Sequence, residues 1–152
     1  MEKPRACKTV AELNVGDRIE REYLITEDDV AAFARLSGDY NPLHFDDAYA
    51  ASTMFGERIA HGLISLAKFS GIFGMDMPGL GTLWLTQTVS FNKPVLIGRT
   101  YKAIAEVVAL DRRRATISTW VQDESGIKVL EGEGVVVPIT AMAKSRLIFP
   151  GE

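Results

Sequence analysis

The sequence has little that would indicate secretion, a membrane span or an oxidising compartment. Cys7 is the only cysteine, so no disulfide can form within the chain. Residues 1–10 include charges but no apolar run of the kind that signal peptides have. The most apolar region, residues 62–85, is interrupted by Lys68, Asp76 and several glycines and would span a membrane poorly. These features predict a cytoplasmic protein.

A strong charge of one sign is also missing. The chain has 17 Lys and Arg residues against 20 Asp and Glu residues, a net charge of −3. Such a balance gives no field that would attract nucleic acid or an anionic membrane, so neither partner is expected. Hydrophobic residues make up 47% and charged residues 24% of the 152 residues, close to globular averages. The length allows one domain with a core of its own.

What is present is a helical first half and a strand-rich second half. Alternation predicts a strand over residues 18–25, after which Thr26 should cap a helix that ends just before Gly38. Asp46 should cap a second, short helix. Residues 61–73 are apolar on nearly every side, which predicts a helix surrounded by protein.

The second half predicts an antiparallel sheet. In "TLWLTQTVSF" one face should comprise Leu83, Leu85, Val89 and Phe91. Three further strands follow, joined by "DRRR" and "DESG", which suits a meander. A buried helix followed by such a sheet predicts a single α+β domain in which the sheet wraps the helix. Gly132 and Gly134 should leave a bare strand face that something large can approach closely.

One short polar stretch, "SGDYNPLHFD" at residues 37–46, stands out between the helices. Pro42 favours an extended Asn41, so the segment is expected to be irregular. The side chains of Asp39 and His44 meet only if the backbone bends between them. If they do meet, a carboxylate and an imidazole sharing one water can take its proton and return a proton to a neighbouring carbon, which is hydration chemistry. The sequence leaves open which of the two groups is the base.

The motifs around this stretch resemble those of the MaoC-like (R)-specific enoyl-CoA hydratases. The stretches involved are "FARLSGDYNPLHFDDAYA", "RIAHGLISLAKFSGIFG" and "GTLWLTQTVSFNKPV", and the resemblance extends from about residue 15 to residue 137. It implies a hot-dog fold, a single domain over residues 15–138, and two extensions, 1–14 and 139–152, outside the usual core. It also implies a homodimer and reversible hydration of a trans-2-enoyl-CoA to a (3R)-3-hydroxyacyl-CoA.

The resemblance also assigns roles to residues. It implies that Asp39 and His44 bind and activate the catalytic water, that the amide of Gly62 is the oxyanion hole, and that Ser70 belongs to the site. Helix geometry alone does not choose between Ser70 and Ser65. Independently of the resemblance, a glycine at a helix N-terminus offers an unpaired amide that a ligand oxygen can approach.

Several other polar residues have a plainer interpretation. Asn41 is a candidate substrate contact but is better explained as a brace of its own loop, and His61 as a structural residue. Four residues could also be considered as metal ligands: Asp39, His44, Asp46 and His61. The chain lacks paired histidine spacing such as H-x-x-x-H, so neither a metal nor another cofactor is expected.

The arginine run at residues 112–114 should be a solvated turn, with coenzyme A phosphate binding as the alternative. Trp84 and Trp120 should be packing anchors rather than walls of an acyl tunnel. Three functions remain as alternatives to the hydratase: a 3-hydroxyacyl-[acyl carrier protein] dehydratase, a non-catalytic acyl-thioester-binding subunit and a hot-dog thioesterase. The thioesterases of this fold usually place their catalytic acid elsewhere. Acyl chain length is not readable from the sequence.

Overall fold

The structure is a computed structural model that describes residues 3–147. Its five strands form one antiparallel sheet in the order β1-β3-β4-β5-β2. The strands are β1 Arg18–Leu24, β2 Leu83–Phe91, β3 Thr100–Leu110, β4 Ala115–Gln122 and β5 Lys128–Val137. The helices are α1 Glu27–Ser37, α2 Pro42–Phe45, α3 Asp47–Ala51, α4 Gly62–Gly71 and α5 Ala141–Lys144. A 3-10 turn covers Val10–Glu12, and a π-helical turn, Ile72–Asp76, continues α4.

The core lies between α4 and the sheet. Phe69 and Ile72, at the end of α4 and in the turn that follows, are buried together with the inward residues of β3, β4 and β5. In β4 the buried positions alternate strictly, as expected of a strand with one face on a core. The sheet therefore wraps the central helix. This confirms the predicted α+β hot-dog fold and the β3-β4-β5 meander.

Helix α1 begins and ends where the sequence predicts. Thr26 accepts a hydrogen bond from the Asp29 amide, and the Asp29 carboxylate accepts one from the Thr26 amide, which forms a reciprocal cap. The helix ends at Gly38, whose φ of 80° is the left-handed conformation that glycine adopts without strain. The position of Gly38 fixes where the polar segment after α1 starts.

The prediction that α4 is surrounded by protein is only partly correct. Leu63, Ala67 and Ser70 share one side of the helix, and all three are exposed; Leu63 is 48% exposed. We call these three residues the α4 stripe. The periodicity of the sequence could not show that this side is uncovered, because its residues are small or apolar like those of the buried side.

The predicted single face of β2 is wrong. The register of β2 against β5 shifts between Trp84 and Thr86, so Leu85 is an extra residue in the strand. The shift reverses the alternation of inward and outward side chains. Before the bulge Trp84 packs against the core, and after the bulge Val89 does so, whereas Leu83 and Leu85 are more than half exposed. The bulge thus separates residues that strict alternation would place together.

The bare strand face at Gly132 and Gly134 is covered by the chain's own edge strand. A Cβ at Gly132 would lie 1.9 Å from the carbonyl oxygen of Thr88, and one at Gly134 would lie 2.5 Å from Oε1 of Gln87. The Gln87 side chain donates instead to the Thr119 hydroxyl at 2.8 Å. The two glycines therefore permit the close approach of β2 to β5.

The two predicted extensions contact the rest of the chain and each other. Residues 5–8 make main-chain hydrogen bonds to residues 75–80, Ile139 is buried, and Lys144 pairs with Glu12 at 2.8 Å. The outermost residues of the two predicted extensions, 1–2 and 148–152, lie outside the described residues.

Across residues 3–147, the structure contains no helix that combines the length and the apolar character of a membrane span.

Candidate active site

The polar segment after α1 folds back on itself through a short helical turn that the sequence analysis missed. Asn41 caps this turn, α2, by accepting a hydrogen bond from the Leu43 amide at 3.0 Å, and Pro42 occupies its first position, where no amide hydrogen is needed. The expectation of a wholly irregular segment was therefore wrong. Pro42 does stop α1 from continuing, but it also starts the turn that brings His44 back towards Asp39.

Asp39 and His44 converge. Their closest side-chain atoms, Oδ2 of Asp39 and Nε2 of His44, are 3.7 Å apart. This distance is too long for a direct hydrogen bond. A water oxygen about 2.8 Å from each atom would, however, fit between them, with an angle of about 80° at the water. The spacing thus suits two groups that bind the same water.

The tautomer of neutral His44 follows from its second nitrogen. Nδ1 lies 2.7 Å from the carbonyl oxygen of Ile59, and because a carbonyl only accepts, Nδ1 is the protonated nitrogen. Nε2 then presents its lone pair towards Asp39. The His44 side chain is 10% exposed, whereas the Asp39 side chain is 50% exposed. The second oxygen of Asp39 accepts from the Asn41 amide at 3.1 Å, which holds the carboxylate in place.

His61 also belongs to this cluster. Its ring lies 3.7 Å from the His44 ring, centroid to centroid, and its Nε2 lies 3.0 Å from the main-chain oxygen of Asp39. It is 4% exposed and is the residue immediately before α4. The sequence predicts a structural role for His61. The available signal was that the chain has only two histidines, each next to a predicted helix end, and both lie here.

Gly62 is the first residue of α4 and lies against the edge strand β2. Amides in the first turn of a helix have no partner within the helix, and the helix dipole makes this end partly positive. A Cβ at Gly62 would lie 2.7 Å from two ring atoms of Phe91, so glycine at this position allows the ring to pack closely against the start of α4. The Gly62 amide, next to His61, is therefore a candidate oxyanion-hole donor, and this role stays a prediction.

Ser70 and Ser65 lie in different environments. Ser70 belongs to the exposed α4 stripe, eight residues from Gly62 and so about 12 Å further along the helix axis. Within one chain it does not join the cluster, and its role stays a prediction. Ser65 is fully buried near Tyr23, and burial raises the pKa of Tyr23 to about 12. Ser65 is therefore a core residue.

Three of the four side chains considered as metal ligands are close together. Donor atoms of Asp39, His44 and His61 lie within 4.8 Å of one another, whereas Asp46 caps α3 by accepting from the Tyr49 amide. Nε2 of His61 must keep its proton to donate to the Asp39 carbonyl, so it has no lone pair for a cation in this arrangement. The cluster is better suited to water than to a metal, and the absence of a metal stays a prediction.

The arginine run lies at the far end of the sheet. Arg112 and Arg113 line a surface cleft with Val137, which pairs with Leu83, whereas Phe91 beside Gly62 pairs with Leu130. Eight strand residues, about 26 Å, separate the two ends of β2. The arginines do not line this site within one chain, which favours their interpretation as a solvated turn.

The two tryptophans have packing partners. Trp84 contacts Phe73 edge to face at 5.0 Å, and Trp120 lies between Arg18 and Lys128, whose charged ends are 5.1 and 5.2 Å from its ring. This supports their interpretation as packing anchors.

Known proteins share this fold and much of the sequence. The chain is 41% identical over 126 residues to an (R)-specific enoyl-CoA hydratase of Aeromonas caviae, covering 82% of this chain and 94% of that one. The crystal structure of an A. caviae (R)-hydratase superposes with a TM-score of 0.81 at 40% identity, covering 84% of this chain and 98% of the other.

Another relative is named for an acyl group on acyl carrier protein rather than on coenzyme A. A mitochondrial 3-hydroxyacyl-[acyl-carrier-protein] dehydratase of Arabidopsis thaliana is 33% identical over 105 residues, covering 69% of this chain and 61% of the relative. The family model described as the MaoC like domain matches residues 11–127, most of the chain. With its fold and these relatives, the chain belongs to the MaoC-like domain family.

Proposed function

We propose that this protein hydrates trans-2-enoyl-CoA to (3R)-3-hydroxyacyl-CoA, reversibly. The observation that supports this best is the 3.7 Å separation of Asp39 Oδ2 and His44 Nε2, which suits one shared water. The name of the A. caviae relative supports the same reaction. No metal or redox cofactor takes part in the proposed chemistry.

In the proposed reaction both hydrogens of the water are engaged before attack. One is donated to the lone pair of His44 Nε2 and the other to the Asp39 carboxylate, so the oxygen's own lone pair points away from both groups. The oxygen forms a bond to C3, the π electrons of the C2–C3 bond move to the thioester oxygen, and a proton passes to the pair. The pair then returns a proton to C2. Both additions occur on the face of the alkene that meets the water, which gives syn addition.

Gly62 is proposed to stabilise the enolate. Its amide lies at the positive end of α4, and an N–H aimed at a developing oxyanion is typically worth about 3–4 kcal/mol in the barrier. Asn41 is already used as the cap of α2, so we propose that it positions Asp39 through its amide rather than through a direct substrate contact.

We further propose that the protein is a homodimer. Within residues 3–147, β2 is an edge strand with a neighbouring strand on one side only, and exposed apolar residues lie on it and on α4: Leu63, Leu83, Leu85 and Phe91. A second copy of the chain would cover both. It would also bring groups of the partner near Ser70, which one chain leaves exposed. We propose that the protein is cytoplasmic, because its single cysteine has no second cysteine in the chain with which to form a disulfide.

The direct test is hydration of crotonyl-CoA, followed as loss of the enoyl absorbance. Asp39→Asn should reduce kcat by about 10²–10⁴-fold, the usual contribution of a positioned acid or base. Asp46→Asn is the matched control, because Asp46 lies in the same segment but only caps α3. Its kcat should stay within about threefold. A wild-type protein inert towards short and medium enoyl chains would refute the proposal, as would full activity of Asp39→Asn.

The carrier-protein alternative needs a separate comparison. Matched crotonyl thioesters of CoA and of acyl carrier protein would be assayed at equal concentrations. A higher kcat/KM with the carrier protein would favour the activity named for the A. thaliana relative. Tight thioester binding without turnover would instead favour a non-catalytic binding subunit.

A further inference from the structure

His61 contacts both residues of the proposed catalytic pair but has no role in the reaction described above. Its Nε2 lies 3.8 Å from Oδ2 of Asp39. Its Nε2 lies 3.0 Å from the main-chain oxygen of Asp39, and its ring stacks on that of His44 at 3.7 Å with 31° between the planes. Phe33 lies 4.9 Å away, which places His61 between an apolar wall and the catalytic imidazole. Its other nitrogen, Nδ1, is buried and has no hydrogen-bond partner among the residues that the structure describes.

These contacts fix the tautomer of neutral His61. The carbonyl oxygen of Asp39 only accepts, so Nε2 is the protonated nitrogen and Nδ1 holds the unused lone pair. A buried nitrogen without a partner is costly, which makes this an unfavourable place for a histidine chosen only for packing. A phenylalanine would fill the same space at no such cost. The donated hydrogen bond from Nε2 is what distinguishes histidine here.

We propose that His61 is a positioning residue of the proposed hydratase site. Its Nε2–H fixes the main chain at Asp39, and its ring face fixes the plane of the His44 imidazole. The carboxylate comes from the segment before α2 and the imidazole from α2 itself, so their 3.7 Å separation depends on both being held. His61 holds both at once, and as the residue before Gly62 it ties the pair to the amide at the start of α4.

Two substitutions separate the hydrogen bond from the packing. His61→Phe keeps a flat ring against His44 and removes the donor. His61→Gln keeps a donor, because its amide nitrogen is as many bonds from Cβ as Nε2 is, and removes the ring. With crotonyl-CoA we expect kcat to fall about tenfold in His61→Phe, with KM within about twofold, and to return to within about threefold of wild type in His61→Gln.

A purely structural role would give a different pattern. The melting temperatures of the two variants and the wild type are measured in parallel, and a structural residue would lower them without splitting kcat from KM. His61→Phe as active as wild type, or His61→Gln no better than His61→Phe, would overturn the proposal.

The two histidines of the chain also allow a test that needs no turnover. A long-range ¹H–¹⁵N spectrum of the labelled protein at pH 8 shows only two imidazoles, and the spectrum of His61→Phe assigns them. We expect His61 to be protonated at Nε2 and His44 at Nδ1. An Nδ1–H tautomer for His61 would refute the contact. This inference rests on the proposed function, but an inert wild type would refute only that function, and the spectrum would still decide whether His61 holds Asp39.

Discussion

If Asp39 and His44 bind one water, removing either should disable the other. The variants for this test are Asp39→Asn, His44→Asn and the double substitution. Asparagine at position 44 keeps an amide nitrogen where Nδ1 donates to the Ile59 carbonyl, and it deletes Nε2. Asparagine at position 39 keeps an oxygen that can accept from the Asn41 amide, and it deletes the charge. Each single variant thus removes one contact to the shared water and keeps the local fold.

The expected size of the effect follows from the geometry. Each single loss should reduce kcat by about 10²–10⁴-fold, or about 3–5 kcal/mol at 1.36 kcal/mol for each factor of ten. Two independent contributions would multiply to about 10⁴–10⁸-fold in the double variant. Because the two atoms are 3.7 Å apart and suit a single water, the second substitution should cost less than about a further tenfold. The coupling energy would then be at least about 1.4 kcal/mol, the equivalent of a factor of ten.

The assay is the initial rate of crotonyl-CoA hydration at saturating substrate, with melting temperatures to exclude unfolding. A double variant whose rate equals the product of the two single effects would show that Asp39 and His44 act on different atoms. It would refute the shared water. A single variant with undiminished kcat would remove that residue from the mechanism.

Two further outcomes concern stability and assembly. Burial raises the pKa of Asp76, but hydrogen bonds from Arg21 and Arg5 outweigh it and leave that pKa below its usual value. A lowered carboxyl pKa gives stability that is present above about pH 4 and lost as pH falls through the folded value. Asp76→Asn should therefore lower the melting temperature at pH 7 and reduce the difference between the melting temperatures at pH 7 and pH 3. A variant with the same difference as the wild type would contradict this. Leu85→Lys should convert a dimer, measured by light scattering, into a monomer; a wild-type monomer would contradict the assembly.

Local signals were enough to predict the ends of α1. Thr26 with Asp29 three residues later forms a cap from residues that are neighbours in sequence, and Gly38 supplies the one conformation that ends the helix cheaply. The meander was predictable for the same reason, since short polar turns join consecutive strands that pair with each other. In each case the residues that determine the element lie within it or beside it.

Features that depend on distant partners were not predictable in this way. The bulge at Leu85 is defined by the pairing of β2 with β5, almost fifty residues later, and the alternation of β2 alone gives no sign of it. The exposure of the α4 stripe likewise depends on what covers the helix, and its leucine and alanine resemble those of the buried side.

The candidate site lies between these two cases. Asp39 and His44 are five residues apart, so the sequence limits the distance between them. They meet because of the α2 turn, which is capped by the hydrogen bond that the Leu43 amide donates to Asn41 Oδ1. His61 comes from a different element, and its contact with Asp39 has no local signal. Within the loop, the Asn41 amide holds the Asp39 carboxylate. From outside the loop, the buried imidazole of His61 donates to the main-chain oxygen of Asp39, which is why a residue beyond the recognised motif belongs to the proposed site.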